Sequence, residues 1–135
     1  MLGVTADSNI YISALHFAGI PRQFLNAARA GLFRLAVSDE LLEEVHRVLR
    51  RKFQWSEAML EAEATYLARF IERVRPMRKL DVIKDDPDDN RVLECAEEAG
   101  SRFIVSGDGD LLRLGQYQNI RIVKVAEFMK MMPTL

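Results

Sequence analysis

The sequence has one cysteine, two histidines, no excess of charge of either sign and no long apolar run. A lone Cys95 cannot form an intramolecular disulfide, and its place in an apolar helical pattern makes it a small buried hydrophobe of a reducing compartment. His16 and His46 are not at metal-ligand spacing and read as incidental. With 19 Lys+Arg against 20 Asp+Glu the net charge is −1, so bulk electrostatics gives no pull on nucleic acid, and any such binding needs a local basic patch. The apolar stretch from Ile10 to Ile20 follows Asp7 rather than a basic region, is too short to span a bilayer and precedes no convincing cleavage site. A cytoplasmic protein with no membrane contact is the expectation. Repeats, low-complexity tracts and linkers are absent as well, the nearest break being the polar run Lys84 to Asn90.

What is present suits one domain over residues 1–135, since 49% apolar and 29% charged residues allow a real core. Leu2 to Ala6 predicts a first strand ending at Asp7, followed by a helix over Ile10 to Phe17. Pro21 opens a second helix carrying Phe24, Leu25, Ala28 and Leu32, and Arg34 to Val37 is a second strand. Ser38 caps a long helix with apolar positions Leu41, Val45, Val48 and Leu49. Ser56 caps its partner, with Met59, Tyr66, Leu67, Phe70, Ile71 and Val74 on the inner face. Leu80 to Ile83 reads as a third strand, Asp86-Pro87 opens a helix that Gly100 stops, Phe103 to Ser106 is a strand covered on both faces, and Ile120 to Val125 is the last strand. Strands alternating with helices imply a central, mainly parallel sheet between helical layers, with any site beyond the carboxyl ends of the strands.

Four acids, Asp7, Glu44, Asp89 and Asp108, stand where burial alone would favour other residues. Each has two readings. Asp7 and Asp108 follow predicted strands and serve either as helix caps or as carboxylates gathered at one sheet edge, and Asp110 fits the cap of the Leu111-Leu112 turn equally well. Glu44, at about 100° per residue, lies beside Leu41 and Val48, either as a border residue in water or as a site residue, whereas Glu43 points to solvent and can pair with Arg47. Asp89 shares the buried face of Val92, Leu93 and Ala96, or occupies the third position of a helix capped by Asp86, with Asp85, Asp86 and Asp88 solvated or capping. Like charges brought together repel unless a cation neutralises them, and oxygen-only donors suit Mg²⁺ or Mn²⁺.

The stretches TADSNIYISAL, SDELLEEVHRVLRRKF, DDPDDNRVLECAEEAGSRFIVSGDGDLL and IRIVKVAEF together resemble the PIN-domain ribonucleases of the VapC-like toxin type, over nearly the whole chain. The third stretch is the specific part. The resemblance implies a three-layer α/β/α sandwich, an acidic pocket for Mg²⁺ or Mn²⁺, and endonucleolytic hydrolysis of RNA. It assigns Asp7, Glu44, Asp89 and Asp108 to catalysis and, with the more variable Asp110, to the metal. Asn9 and Ser106 match small polar positions that orient these acids. It also implies a small antitoxin partner and a homodimer. Ala6 and Gly109 depart from the family pattern, the latter standing where a larger, often basic residue is common.

Arg47, Arg50, Arg51 and Lys52 run off the helix bearing Glu44, either gripping RNA phosphates or forming a solvated face; Arg69, Arg73, Arg75 and Arg78 form a second patch. Phe53, Trp55 and the group Met129, Met131 and Met132 read as core or interface. A haloacid-dehalogenase-type phosphatase would need a second acid where Asn9 stands, and a receiver domain would need adjacent acids after strand one. A non-catalytic RNA- or partner-binding scaffold of the same fold is the remaining alternative.

Overall fold

The computed structural model describes residues 1–132. In chain order it contains β1 (Gly3–Ala6), α1 (Ser8–His16), α2 (Ile20–Arg29), β2 (Arg34–Ser38), α3 (Asp39–Lys52), α4 (Glu57–Ala68) and β3 (Ile71–Val74). A 3₁₀ turn, Pro87–Asp89, leads into α5 (Asn90–Ala99), then β4 (Phe103–Val105), α6 (Gly109–Leu114), β5 (Gln116–Tyr117), β6 (Ile120–Val123) and α7 (Val125–Met131). The strands form one sheet in the order β3-β2-β1-β4-β6-β5, parallel except for the β5–β6 pair. This is the α/β sandwich expected from the alternation of strands and helices.

Side chains leave a strand on alternate faces, and the two faces of this sheet are covered differently. Val4 pairs with Phe103, whose ring meets Phe128 of α7 edge-on, and Phe24 of α2 and Phe33 complete that aromatic cluster. Thr5 points the other way, toward α5: its Oγ1 lies 2.9 Å from Ser101 Oγ and 4.0 Å from Cys95 Sγ. Cys95 is fully buried there, as its apolar surroundings in the sequence suggest, and burial pushes its thiol up to about 12. His16 is not incidental. Its Nδ1 accepts a bond from Trp55 Nε1 at 3.1 Å and its ring stacks near Phe53, which ties the end of α1 to the α3–α4 turn.

Strand three lies elsewhere than expected. Helix α4 stops at Ala68, and Ile71 to Val74, read above as the end of a helical face, forms β3 in register with Leu35 to Ser38. The β-branched Ile71 and Val74 fit a pleated edge, and the helix closes on tight bonds from the Arg69 and Phe70 amides to the carbonyls of Tyr66 and Leu67. Met59 and Leu32 are exposed at 47% and 60%, the former off the inner face of α4 and the latter beyond the end of α2. The short antiparallel β5 had no signal in the sequence pattern.

Leu80 to Ile83 is buried at both ends but pairs with no strand. Its backbone is satisfied by side chains of α5 instead. The Leu80 amide donates to Glu94 Oε2 at 2.8 Å, and the Val82 and Ile83 amides both donate to Asn90 Oδ1 at 2.9 Å. Asn90 Nδ2 in turn donates to the carbonyls of Ile83 and Pro87 at 2.9 and 3.0 Å. Asn90 is 1% exposed, so truncation leaves buried backbone groups without partners. Asn90→Ala is expected to cost about 3 kcal/mol in urea denaturation and to speed amide exchange at Val82 and Ile83; a loss under about 1 kcal/mol would mean the loop is held by other contacts.

Candidate active site

The chain leaves β1 on one side toward β2 and returns on the other as β4, so the crevice beyond β1 and β4 is where the connections diverge. Register places Ala6 beside Val105, and the next residues carry the acids. Asp7 is the N-cap of α1, its Oδ1 accepting from the Ile10 amide at 3.1 Å. Asp108 is the N-cap of α6, its Oδ2 accepting from the amides of Asp110 and Leu111 at 2.9 and 3.0 Å. Ser106, wholly buried, joins the two: its hydroxyl donates to Asp7 Oδ2 and accepts from the Asp108 amide at 2.9 Å. Capping and site geometry are therefore carried by the same carboxylates.

A cleft of about 100 Å³ opens at this edge, lined by Asp7, Asn9, Glu44, Asp86, Asp89 and Asp108, with Asp88 also on its wall. Glu44 is half-buried and faces the cleft from α3, whereas Glu43 is exposed on the helix's other flank. Among the described residues Glu43 makes no ion pair with Arg47. Asn9 is exposed at the cleft mouth. One oxygen from each of Asp86, Asp89, Asp108 and Asp110 falls within 4.8 Å of the others. Asp7 and Glu44 stand across the cleft from that tight group, near enough for Asp108 and Glu44 both to disfavour charge on Asp7.

Asp86 is the residue that sequence reasoning left out. It does cap, accepting from the Asp88 amide at 3.3 Å, but it also contributes a carboxylate to the tight group. The signal lies in its spacing from Asp89. In a 3₁₀ turn residues three apart eclipse, so Asp86 and Asp89, at the two ends of the turn opened by Pro87, present their side chains together. Asp110 belongs to the group and is also held by the guanidinium of Arg113 on its own helix. That guanidinium packs beside Gly109, where a Cβ would come within 3.0 Å of Nη1.

Burial and the adjoining Asp108 push the Asp89 carboxyl up to about 8, with Asp86 and Asp110 adding to the effect. Burial also raises Asp7 above the usual carboxylate range, against the opposing bonds from Ser106 and Ile10. Asp89 Oδ2 is buried without a hydrogen-bond partner. An orphaned oxygen among other hard oxygens fits a divalent cation such as Mg²⁺ or Mn²⁺, whose ligands at about 2.1 Å would need only small side-chain movements from the observed spread.

The basic residues are arranged less simply. Arg50 reaches Glu57 through Nε at 2.7 Å and Nη2 at 3.3 Å, bracing α3 against α4. Arg47 and Arg51 are exposed and make no ion pair among the described residues. Of the second patch, Arg73 pairs with Asp39 and Arg78 with Glu97. Met129, Met131 and Met132 pack against the core, as do Phe53 and the buried Trp55.

A mainly parallel sheet with helices on both faces, bearing a cleft of crowded carboxylates beyond the ends of its first and fourth strands, defines an α/β protein with an acidic pocket. The chain belongs to the PIN domain family, whose model matches residues 4–110, an interval that ends on Asp110 and contains every acid of the cleft. PIN domains are a nuclease family and generally metal-dependent. No curated protein matches the chain.

The raised Asp89 carboxyl has a defined effect on stability without metal. Because the folded state holds this proton more tightly than the unfolded chain, the contribution is fully present below 3.8 and is lost as pH rises through about 8. In chelator, the margin by which Asp89→Asn exceeds the wild type in melting temperature should be smaller near pH 5 than near pH 9. An equal margin at both pH values would remove the assigned proton.

Proposed function

We propose that the protein is a metal-dependent endoribonuclease hydrolysing RNA phosphodiester bonds in the cleft of Asp7, Glu44, Asp86, Asp89, Asp108 and Asp110. The observation that supports it most is the meeting of acids from four separate parts of the chain at the crevice beside β1, with Asp89 Oδ2 buried and unpaired. Asp89 and Asp108, flanked by Asp86 and Asp110, would hold Mg²⁺ or Mn²⁺. Once bound, the cation supplies positive charge for the phosphate oxygens and lowers the pKa of a coordinated water. Asp7 shapes the opposite wall, fixed by Ser106 and the Ile10 amide so that neither oxygen swings freely. Ser106 acts as a positioning residue, setting Asp7 and Asp108 at a constant separation. Glu44, half-buried on the facing helix, would orient the attacking water, and Asn9, exposed at the mouth, would steady the acids. In-line attack would leave a 5′-phosphate and a 3′-hydroxyl, the outcome implied by the family resemblance.

The narrower reading is a toxin of a toxin–antitoxin pair: a cytoplasmic, single-domain protein over residues 1–135, homodimeric and held in check by a small antitoxin. Residues 133–135 lie outside the described ones. The VapC-like resemblance of the four sequence stretches supports this reading. No helix among the described residues is long and apolar enough to cross a membrane, which is consistent with it.

Two measurements test the proposal. Asp7→Asn and Asp89→Asn should each lower RNA cleavage in Mn²⁺ by about 100-fold or more, as loss of a group acting on the transition state does, and chelator should abolish wild-type cleavage. Metal-dependent cleavage persisting in both variants would exclude these roles, and cation binding without turnover would favour the non-catalytic scaffold. Arg47 and Arg51 are proposed to contact phosphates, with Arg50 contributing where its pair with Glu57 allows. Replacing Arg47 and Arg51 together by Ala should raise KM more than it lowers kcat and flatten the log–log salt slope by about 1.4, two contacts on a single strand; an unchanged slope would leave these arginines as a solvated face.

A further inference from the structure

The larger hollow of the molecule is not the acidic cleft. It lies on the other flank of α3, between α3, α4 and β3, and encloses about 380 Å³. Leu42, Leu67 and Ile71 give it an apolar floor, and Glu43 and His46 stand on its wall. The ion pair between Arg73 and Asp39, at 2.6 Å, joins two further lining residues. His46 has a buried Nε2 with no hydrogen-bond partner among the described residues. That nitrogen is closed to solvent, so the polar group that the hollow offers a ligand is the exposed Glu43 carboxylate beside the apolar floor.

We propose that this hollow receives a nucleobase of the RNA cut in the acidic cleft, specifically a base bearing an exocyclic amino group. The inference rests on the ribonuclease reading and adds a subsite to it. Helix geometry carries the connection. At 3.6 residues per turn Glu44 and His46 project about 160° apart, so α3 separates cleft and hollow, and Arg51, Arg47 and Arg50 fall in turn on the solvent arc between them. All three are exposed. A strand crossing that arc has arginines for its phosphates and a hollow at the far side for a base. The solvent arc of about 160° on a helix about 10–12 Å across is roughly 14–17 Å long, which at about 3.4 Å per stacked nucleotide puts the base about four or five nucleotides from the cut.

The chemistry of the wall selects among bases. Glu43 accepts hydrogen bonds only, as a carboxylate does from a cytosine amino group, and it stands beside an apolar floor on which a ring can lie. Adenine, cytosine and guanine carry the amino donor, and uracil does not. A peptide occupant fits less well: a basic one meets Arg47, Arg50 and Arg51, and an acidic one meets Glu43.

The test digests a single-stranded RNA library of random sequence with the wild-type protein and sequences the cut ends. Amino-bearing bases should be preferred over uracil at one position a few nucleotides from the cut. Glu43→Ala should reduce that preference about fivefold, the size of one net hydrogen bond, and Ala64→Leu, which fills the hollow from α4, should reduce it likewise. In parallel, cytidine and adenosine should shift the NMR signals of the His46 imidazole in the wild-type protein, and uridine should not. A preference unchanged in both variants overturns the proposal, as does an imidazole indifferent to all three nucleosides. A selective shift without any RNA cleavage would retain the base site and remove the ribonuclease reading alone. If Ala64→Leu alters the oligomeric state by light scattering while base preference stays intact, the hollow is a protein contact and the proposal falls.

Discussion

Crowding of negative charge is the constraint on which the site depends. Asp7, Glu44, Asp86, Asp89, Asp108 and Asp110 gather at one small cleft, where Asp108, Asp86 and Asp110 disfavour charge on Asp89, and Asp108 and Glu44 disfavour it on Asp7. The fold contains this repulsion by giving three of the acids backbone donors, Asp86 among them through the Asp88 amide. Asp7 and Asp108 each sit at the start of a helix, where free amides accept their charge, and one buried hydroxyl links them. Asp89 receives no such donor on its inner oxygen and keeps its proton instead. A cation would replace that proton, and the crowded acids would become its ligands.

Sheet order explains why acids so distant in sequence can meet. β1 and β4 are neighbours although nearly a hundred residues separate them, and their carboxyl ends deliver Asp7 and Asp108 to the same edge. The remaining acids arrive on helices, Glu44 by its angular position on α3 and the Asp86–Asp89 pair by the turn that starts α5. The segment before that turn is fastened by Asn90 and Glu94 rather than by strand pairing, so the acidic turn is fixed to α5 as part of it.

Much of this could be read from the sequence, and the failures have local causes. Helix starts were legible because Ser38, Ser56 and Asp86 cap where hydroxyl and carboxylate caps are expected, and Gly100 ends α5 with a positive φ. The separate fates of Glu43 and Glu44 followed from periodicity. Periodicity also misled: Phe70, Ile71 and Val74 continue the apolar spacing of α4, and nothing local says that the helix has ended. Leu80 to Ile83 has the composition of a strand, but its partners are two side chains ten residues onward, a tertiary fact. Asp86 was missed because its capping role was sufficient explanation under α-helical spacing, and only the tighter turn brings it beside Asp89. The role of His16 depends on Trp55, a contact that one-dimensional spacing does not reveal.

The contact of Thr5 with Ser101 and Cys95 has an implication at some distance from itself. Thr5 lies two residues before Asp7, on the face of β1 that strand alternation gives to both, and the helix it supports carries Asp89 at its leading end. The gap between the two rims of the cleft is thus gauged from within the layer, by how deeply α5 beds onto the strand beneath it. A thicker side chain at that seat would act as a shim, prising the rims apart without touching a single acid.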